Sequence, residues 1–393
     1  MAKKTITKSK VNKAAKEYSK LSTGWKIFIA VLLIAIVIGA GAYYYFAIYK
    51  KKSTPTSALG QFSVHFLELG NNYTGDCIYI KAGDTDILVD GGSRTNSVST
   101  IQTYVNQYVK DGKLEYAIIT HADQDHIACW AGDNTNSSLF DLYDIDTIID
   151  FPKSDKTSQV YNRYVLKRDA KADAGSKHYT ALDCYNNTGN AKREYTLADG
   201  ITLQILYNYY YENSSSDENN YSVCFMINQG TNHYLFTGDL EKDGEAKLVE
   251  HNTLPKVTLF KAGHHGSGTS STDKLLSIIQ PEYIAITCVA GSVEYTKDKD
   301  NTFPYQAVVD RIAKYTDNVF VTSCMDMEDT GETLSNGNPK YKNPDGAKAR
   351  ALNGTIIFEC NDNIVTFKGT NNSTKLKDSD WFKTYRTTPT QWV

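Results

Sequence analysis

The sequence predicts a layered α/β domain over residues 61–393 behind one membrane-spanning helix. Three observations carry that expectation. Apolar runs of strand length recur from Val64 onward and alternate with helix-length segments, the order that builds a sheet with covering helices. Three such runs end on polar clusters, at Asp90, at His121 and at Asp239, and strand ends are where α/β sheets place their chemistry. Finally, Ile27 to Tyr49 is an uncharged run of 23 residues, long enough as a helix to cross a hydrocarbon core of roughly 30 Å. Charged residues at 22% and hydrophobic residues at 41% are ordinary for a globular chain and exclude a disordered or collagen-like one.

Residues 1–26 read as a basic cytoplasmic leader, 27–49 as the transmembrane helix and 50–60 as a linker. Eight Lys precede the span and three, Lys50 to Lys52, follow it, so the positive-inside rule places the N-terminus in the cytoplasm and the large domain outside the cell membrane. Tyr43, Tyr44, Tyr45 and Tyr49 sit where an interfacial aromatic belt belongs. A cleaved signal peptide competes, because Ala40-Gly41-Ala42 resembles a cleavage site, but the apolar run continues past it. An uncleaved anchor is expected.

Beyond the linker, strands are expected at 64–69, 77–80 and 87–89, then a helix over 97–109 and a strand at 114–120. Residues 131–200 read as an insertion, with a strand at 146–151 and a helix near 159–172. The pattern resumes with a strand at 201–209 and a hairpin of 221–228 with 233–237, which runs into Gly238-Asp239. A helix at 241–251, a strand at 257–261 ending on Gly263-His264-His265-Gly266 and a helix at 271–280 follow. Strands at 283–289 and 318–323, a helix at 305–315 and a hairpin of 355–360 with 364–368 read as the second half of a two-sheet sandwich.

Thr120-His121-Ala122-Asp123-Gln124-Asp125-His126 packs two imidazoles and two carboxylates directly behind an apolar strand, and these are ligands that suit Zn²⁺ and Mn²⁺. On such a turn His121 and Asp123 can face one ion while Asp125 and His126 face a neighbour. Of the eight His in the chain, four lie in 121–126 and 264–265, a clustering that a polar surface turn does not explain. Asp239 follows a strand in the same way, and its carboxylate could bridge two ions. The seven Cys form no C-x-x-C pair and read as buried thiols, not as a zinc ribbon or redox motif. Gly266-Ser267-Gly268 lacks the elbow that a serine nucleophile needs.

Charge tempers a nucleic-acid reading. Residues 1–52 hold 11 of the 42 Lys and Arg and one acid, Glu17, which leaves 31 basic against 44 acidic residues beyond them, near −13. Such a surface repels phosphates unless a basic groove or metal ions supply local positive charge.

With these motifs the chain resembles the metallo-β-lactamase-fold hydrolases, and among them the hydrolase domain of ComEC-type DNA-uptake competence proteins. The resembling residues are Val64 to Leu69, Ile87 to Gly92, H-x-D-x-D-H at 121–126, Asn219-Asn220-Tyr221-Ser222, Thr237-Gly238-Asp239, and KAGHHGS at 261–267 with Thr269-Ser270-Ser271. Phosphorylcholine esterases of bacterial surfaces share the motif order. The resemblance implies an αββα sandwich and two divalent ions, Zn or Mn. It implies that His121 and Asp123 hold the first ion, that Asp125, His126 and His265 hold the second, and that Asp239 bridges them. His264 would sit beside the ligands or act on the transition state, catalytic together with Asp125, and the roles of His264 and His265 are exchangeable. Asp90 would support the metal-binding turn through hydrogen bonds.

Three departures stand out. Asp123 replaces the second His of the superfamily's H-x-H-x-D-H, which favours harder metals such as Mn²⁺ and matches the competence subgroup. Glu68 to Asp76 replaces the subgroup's D-V-G-Q-G-D, and Asn301-Thr302-Phe303-Pro304 replaces a late N-x-Y-G-H-P without its His. The expected function is a membrane-anchored two-metal phosphodiesterase that acts through a metal-bound water on nucleic acid, including single-stranded DNA, or on an envelope phosphodiester. Amide, lactone or β-lactam hydrolysis is the competing enzymatic reading, and a surface-binding or sensor protein is the non-enzymatic one. No obligate protein partner is evident.

Overall fold

The computed structural model describes residues 16–27, 32, 61–361 and 363–393. The chain divides into two compact units, Met1–Ala58 and Leu59–Val393. In the first, residues 16–19 and 23–27 are helical. The expected linker and most of the leader and membrane span lie outside the described residues, among which no helix is long and apolar enough to cross a membrane.

The second unit is built on strands β1 (Phe62–Phe66), β2 (Ile78–Ala82), β3 (Thr85–Val89), β4 (Lys113–Ile118), β5 (Asp144–Asp150), β6 (Lys177–Thr180), β7 (Glu194–Ala198), β8 (Ile201–Ile205), β9 (Phe225–Gln229), β10 (Asn232–Phe236), β11 (Leu259–Lys261), β12 (Tyr283–Ala290), β13 (Val319–Cys324), β14 (Glu328–Thr333), β15 (Pro339–Lys342), β16 (Arg350–Ala351), β17 (Ile356–Asn361) and β18 (Ile364–Gly369). One eight-stranded sheet runs β18-β17-β1-β2-β3-β4-β5-β6, a second runs β16-β13-β12-β11-β10-β9-β8-β7, and β14 with β15 makes a small ribbon. Both large sheets are mixed. Strands β3 to β6 pair in parallel, as do β10 to β13, and the other pairings are antiparallel.

The two-residue period of a strand separates the cores. Phe225, Ile227, Tyr234 and Phe236 join the core between the sheets, while their neighbours Met226 and Leu235 join a second core on the far face of sheet two. Phe62 meets Tyr234 at 4.5 Å between ring centroids, and Phe66 meets Phe236 at 6.3 Å. The helices are α1 (Val98–Val105), α2 (Gln124–Ala131), α3 (Leu139–Leu142), α4 (Gln159–Asp173), α5 (Ala181–Asn186), α6 (Lys242–His251), α7 (Asp273–Ile279), α8 (Gln306–Ile312) and α9 (Asp380–Tyr385). Val98 and Ile101 of α1, Trp130 of α2 and Tyr164 of α4 pack with the first core. Leu248, Leu276, Val309 and Phe382, from α6 to α9, pack with the second. The order is helix, sheet, sheet, helix.

Residues 131–200, read as an insertion, supply β5 and β6, which extend the first sheet in parallel, and β7, an edge of the second. The 355–368 hairpin, read with the second half of the sandwich, joins the first sheet instead: β17 pairs antiparallel with the edge that β1 leaves open. Its apolar run, with Ile356, Ile357 and Phe358 all buried, suits either sheet, so pattern alone could not choose.

Candidate metal centre

The centre forms where β3, β4, β10 and β11 end. Asp90, just past β3, has left-handed backbone with φ 56°. Its carboxylate accepts hydrogen bonds from the Thr120 N–H and hydroxyl, both at 2.8 Å, and so ties the ends of β3 and β4 together. It also meets His126 Nδ1 at 2.8 Å, which leaves Nε2 of that ring 3.1 Å from Asp239 Oδ2. A proton fixed on Nδ1 by a carboxylate is the usual support for an imidazole whose other nitrogen binds a metal. Asp239 is set by Gly238, whose φ of 54° suits glycine; a Cβ there would lie 2.7 Å from Ser222 Oγ and 3.0 Å from Thr120 Cβ. The Asp239 N–H donates to Ser222 Oγ at 3.0 Å.

Past β11, His264 and His265 are both left-handed, with φ 47° and 54°, a conformation that costs about 1–2 kcal/mol for each non-glycine residue. Strain of this kind gathers at functional sites. Here it sends the two rings different ways. His265 is fully buried, its Nδ1–H donates to the Thr287 carbonyl at 2.8 Å, and its Nε2 lies 3.1 Å from Asp239 Oδ2 and 3.3 Å from Asp125 Oδ2. His264 instead reaches Thr269 Oγ1 at 3.2 Å and Glu241 Oε1 at 3.3 Å through Nδ1.

The structure therefore gathers Asp125, His126, Asp239 and His265 into one cluster, with a donor atom from each lying within 4.8 Å of the others. His121 and Asp123 stand beside it. The His121 ring is 4.1 Å from the His126 ring, its Nε2 is 3.7 Å from Asp123 Oδ2, and Asp123 forms a close ion pair with Lys156.

Several side chains at the centre had no role in the sequence reading. Asp76 is buried, with Oδ2 2.6 Å from Lys261 Nζ and Oδ1 3.2 Å from His265 Nδ1, and it accepts a short hydrogen bond from the Thr287 hydroxyl. Lys261, 1% exposed, also reaches Asp239 Oδ1 at 3.2 Å and the Gly238 carbonyl at 3.1 Å. Asp76 precedes a strand where the other acids follow one, so the strand-end pattern that marks them does not mark it. Lys261 stands inside the KAGHHGS motif, where its residue type was the available signal. Lys156 lies between β5 and α4 and Tyr295 between β12 and α8, and no local pattern marks either.

Charge decides what the centre can hold. Asp76, Asp90, Asp123, Asp125 and Asp239 face two lysines, Lys156 and Lys261, so the site carries an excess of carboxylate. Burial works against a charged His126 and His265, yet Asp239 with Asp90, and Asp239 with Asp76, hold the two rings well above the ordinary imidazole range. Burial and the neighbouring His126 lower His121 to about 4. Asp76, Asp125 and Asp239 stay below the usual carboxylate range despite burial, through Lys261 and His265 for the first and His126 and His265 for the other two. His121 Nε2 and His265 Nε2 are buried with no hydrogen-bond partner. Buried imidazole nitrogens that face carboxylates in excess fit divalent cations.

Residues 70–132 match the model of the metallo-beta-lactamase superfamily. Fold and match together define a metallo-β-lactamase-type α/β domain with two mixed sheets. Its relatives include Competence protein ComA of Neisseria gonorrhoeae, 35% identical over 88 residues that cover 22% of this chain and 12% of that one. The chain is 25% identical over 217 residues to ComE operon protein 3 of Bacillus subtilis, covering 53% of this chain and 24% of that one. It is 32% identical over 98 residues to Recombination protein 2 of Haemophilus influenzae, covering 25% and 11%. The chain thus spans less than a quarter of either relative's length. Among solved structures, it is similar to the metallo-beta-lactamase fold protein YhfI from Bacillus subtilis, at 11% identity and TM-score 0.37 over 66% of this chain and 95% of that one.

Proposed function

We propose that this domain is a metal-dependent phosphodiesterase acting on nucleic acid, and that it is carried on the outer face of a membrane by residues 27–49. The observation that supports it most is the cluster of Asp125, His126, Asp239 and His265, whose two imidazoles are each steadied from behind by a carboxylate. The competence relatives favour DNA as the substrate. In this reading Asp125, His126 and His265 would hold one divalent ion, His121 and Asp123 would hold a second, Asp239 would serve both, and the ions would be Zn or Mn. Bound ions would lower the pKa of water toward neutrality and offset charge developing on phosphoryl oxygens.

The chain's own groups do the rest. Asp90 keeps a proton on His126 Nδ1, and the Thr287 carbonyl with Asp76 does the same for His265, so each Nε2 is directed at the cluster and would be the nitrogen that binds an ion in place of its proton. Lys261 neutralises Asp76 Oδ2 and Asp239 Oδ1, the oxygens of these two carboxylates other than those nearest the His265 ring. Lys156 is an ammonium beside Asp123 that can meet a substrate phosphate, a local cation in a domain whose average charge is negative.

The test is turnover of metal-supplemented residues 53–393 on single-stranded DNA, bis-p-nitrophenyl phosphate, a phosphorylcholine ester and a β-lactam. Phosphodiester cleavage, higher with Mn²⁺ than Zn²⁺ and reduced by at least about 10²-fold in Asp125→Ala and His265→Ala, is the expected result. Turnover of the β-lactam alone would replace the phosphodiester reading, and protein that holds no metal when prepared without chelator would replace the enzymatic one. Anchoring has its own test. Protease added to intact cells should remove the domain, and protection until lysis would reverse the topology.

A further inference from the structure

Cleaving a nucleic-acid diester expels a sugar alkoxide, a poor leaving group unless it receives a proton as it departs. The proton-bearing side chains at the centre are largely committed. Lys261 is buried beneath the cluster and paired with two carboxylates, Lys156 is held by Asp123, and His264 Nδ1 is engaged by Thr269 and Glu241. Phe303, in the late motif that lacks a His, packs 5.8 Å from the His265 ring and has no proton to give.

Tyr295 is placed differently. Its hydroxyl donates to Asp125 Oδ2 at 3.2 Å, the same oxygen that lies 3.3 Å from His265 Nε2, so an O–H group stands at the lip of the four-residue cluster. The residue is 55% exposed, open to an incoming ligand. Its ring is held against Phe303 at 5.3 Å, and Phe303 in turn packs on His264 at 6.0 Å and on His265. The aromatic stack fixes the ring without engaging the hydroxyl, whose single hydrogen bond to Asp125 Oδ2 lies at the exposed edge of the cluster, where an incoming leaving oxygen can take its place.

We propose that Tyr295 is a catalytic residue, the proton donor to the leaving oxygen. The inference rests on the phosphodiesterase reading above. Water releases one proton to solvent, and as the resulting hydroxide forms the new P–O bond the old P–O bond breaks with its electron pair going to the leaving oxygen. The Tyr295 O–H proton passes to that oxygen, the alcohol departs, and the phenolate takes a proton back from solvent. Diester and water become monoester and alcohol.

Leaving-group dependence tests this. p-Nitrophenolate departs without a proton near neutral pH, whereas a thymidine dinucleotide must expel an alkoxide. Positioned general acids contribute typically 10²–10⁴-fold, so Tyr295→Phe should lower kcat on the dinucleotide about 10²-fold more than on bis-p-nitrophenyl phosphate. Mn²⁺ affinity, measured by titration without substrate, should stay within about twofold, because Asp125 keeps its place in the cluster. An equal loss on both esters, or no loss on either, overturns the assignment, and an equal loss with weakened Mn²⁺ binding makes Tyr295 a positioning residue for Asp125. If the metal-loaded native protein cleaves neither ester, the phosphodiesterase reading falls and takes this role with it.

Discussion

A lysine as buried as Lys261 survives because two carboxylates and a carbonyl surround its ammonium. Nζ lies 2.6 Å from Asp76, 3.2 Å from Asp239 and 3.1 Å from the Gly238 carbonyl, and the paired charges push its pKa up against the burial that opposes it. Removing one partner of a buried pair leaves the other charge uncompensated, typically at a cost of about 3–5 kcal/mol. Lys261→Met, which keeps length and apolar stem, should therefore destabilise the chelated protein by about that amount in urea titration. Added Mn²⁺ should narrow the gap, because a cation at the cluster offsets the freed charge on Asp239. A variant as stable as the parent with chelator present would show that the two acids find other partners when the ammonium is gone.

At the scale of elements, the strands that deliver the site were legible because each shows the apolar run of a buried strand and ends on residues a strand cannot bury unpaired, such as Asp90, His121 and Asp239. What stayed hidden depends on contacts between distant segments. Asp76 meets Thr287 and Lys261 across the two sheets, Lys156 and Tyr295 arrive on connections with no periodicity, and β17 chooses its sheet by the open edge of β1. The resemblance left the two adjacent histidines interchangeable, and backbone geometry separates them by turning His265 inward. Gly238 could be read as a turn residue, but the reason it must be glycine is tertiary. Gly238→Ala would adopt an unfavourable φ and set a Cβ against Ser222 and Thr120, the residues that hold the Asp239 backbone and the Asp90 carboxylate. A loss of roughly 1–3 kcal/mol is expected, and, under the proposed reading in which Asp239 would hold metal, reduced metal content by elemental analysis. Unchanged content at reduced stability would separate the strain from the ligand geometry.

At the scale of the whole molecule, the N-terminal and C-terminal parts of the domain are joined through β1, which pairs with β2 on one side and β17 on the other. His65, in the middle of β1, is buried among aromatic rings, 4.8 Å from the Tyr108 ring and 5.3 Å from that of Tyr79. Tyr104 OH lies 2.7 Å from its Nδ1 and Ser63 Oγ 2.8 Å from its Nε2. Burial, with a smaller push from Lys368, lowers the imidazole from 6.5 to about 3. The unfolded chain thus binds a proton near pH 6.5 that the folded one refuses until far lower pH. Stability from this residue is complete above pH 6.5 and is lost as pH falls toward 3, at a rate approaching 1.4 kcal/mol per pH unit for one group. His121, lowered to about 4, slopes the same way, while the raised His126 and His265 slope oppositely at higher pH, so comparison of variants isolates His65. Between pH 6.5 and 4.5, urea midpoints of His65→Gln should fall less steeply than those of the native protein, because an amide can serve both hydroxyls and has no proton to take up. Parallel profiles would mean that β1 opens to admit the proton, and that the join between the two ends of the domain is looser than its packing implies.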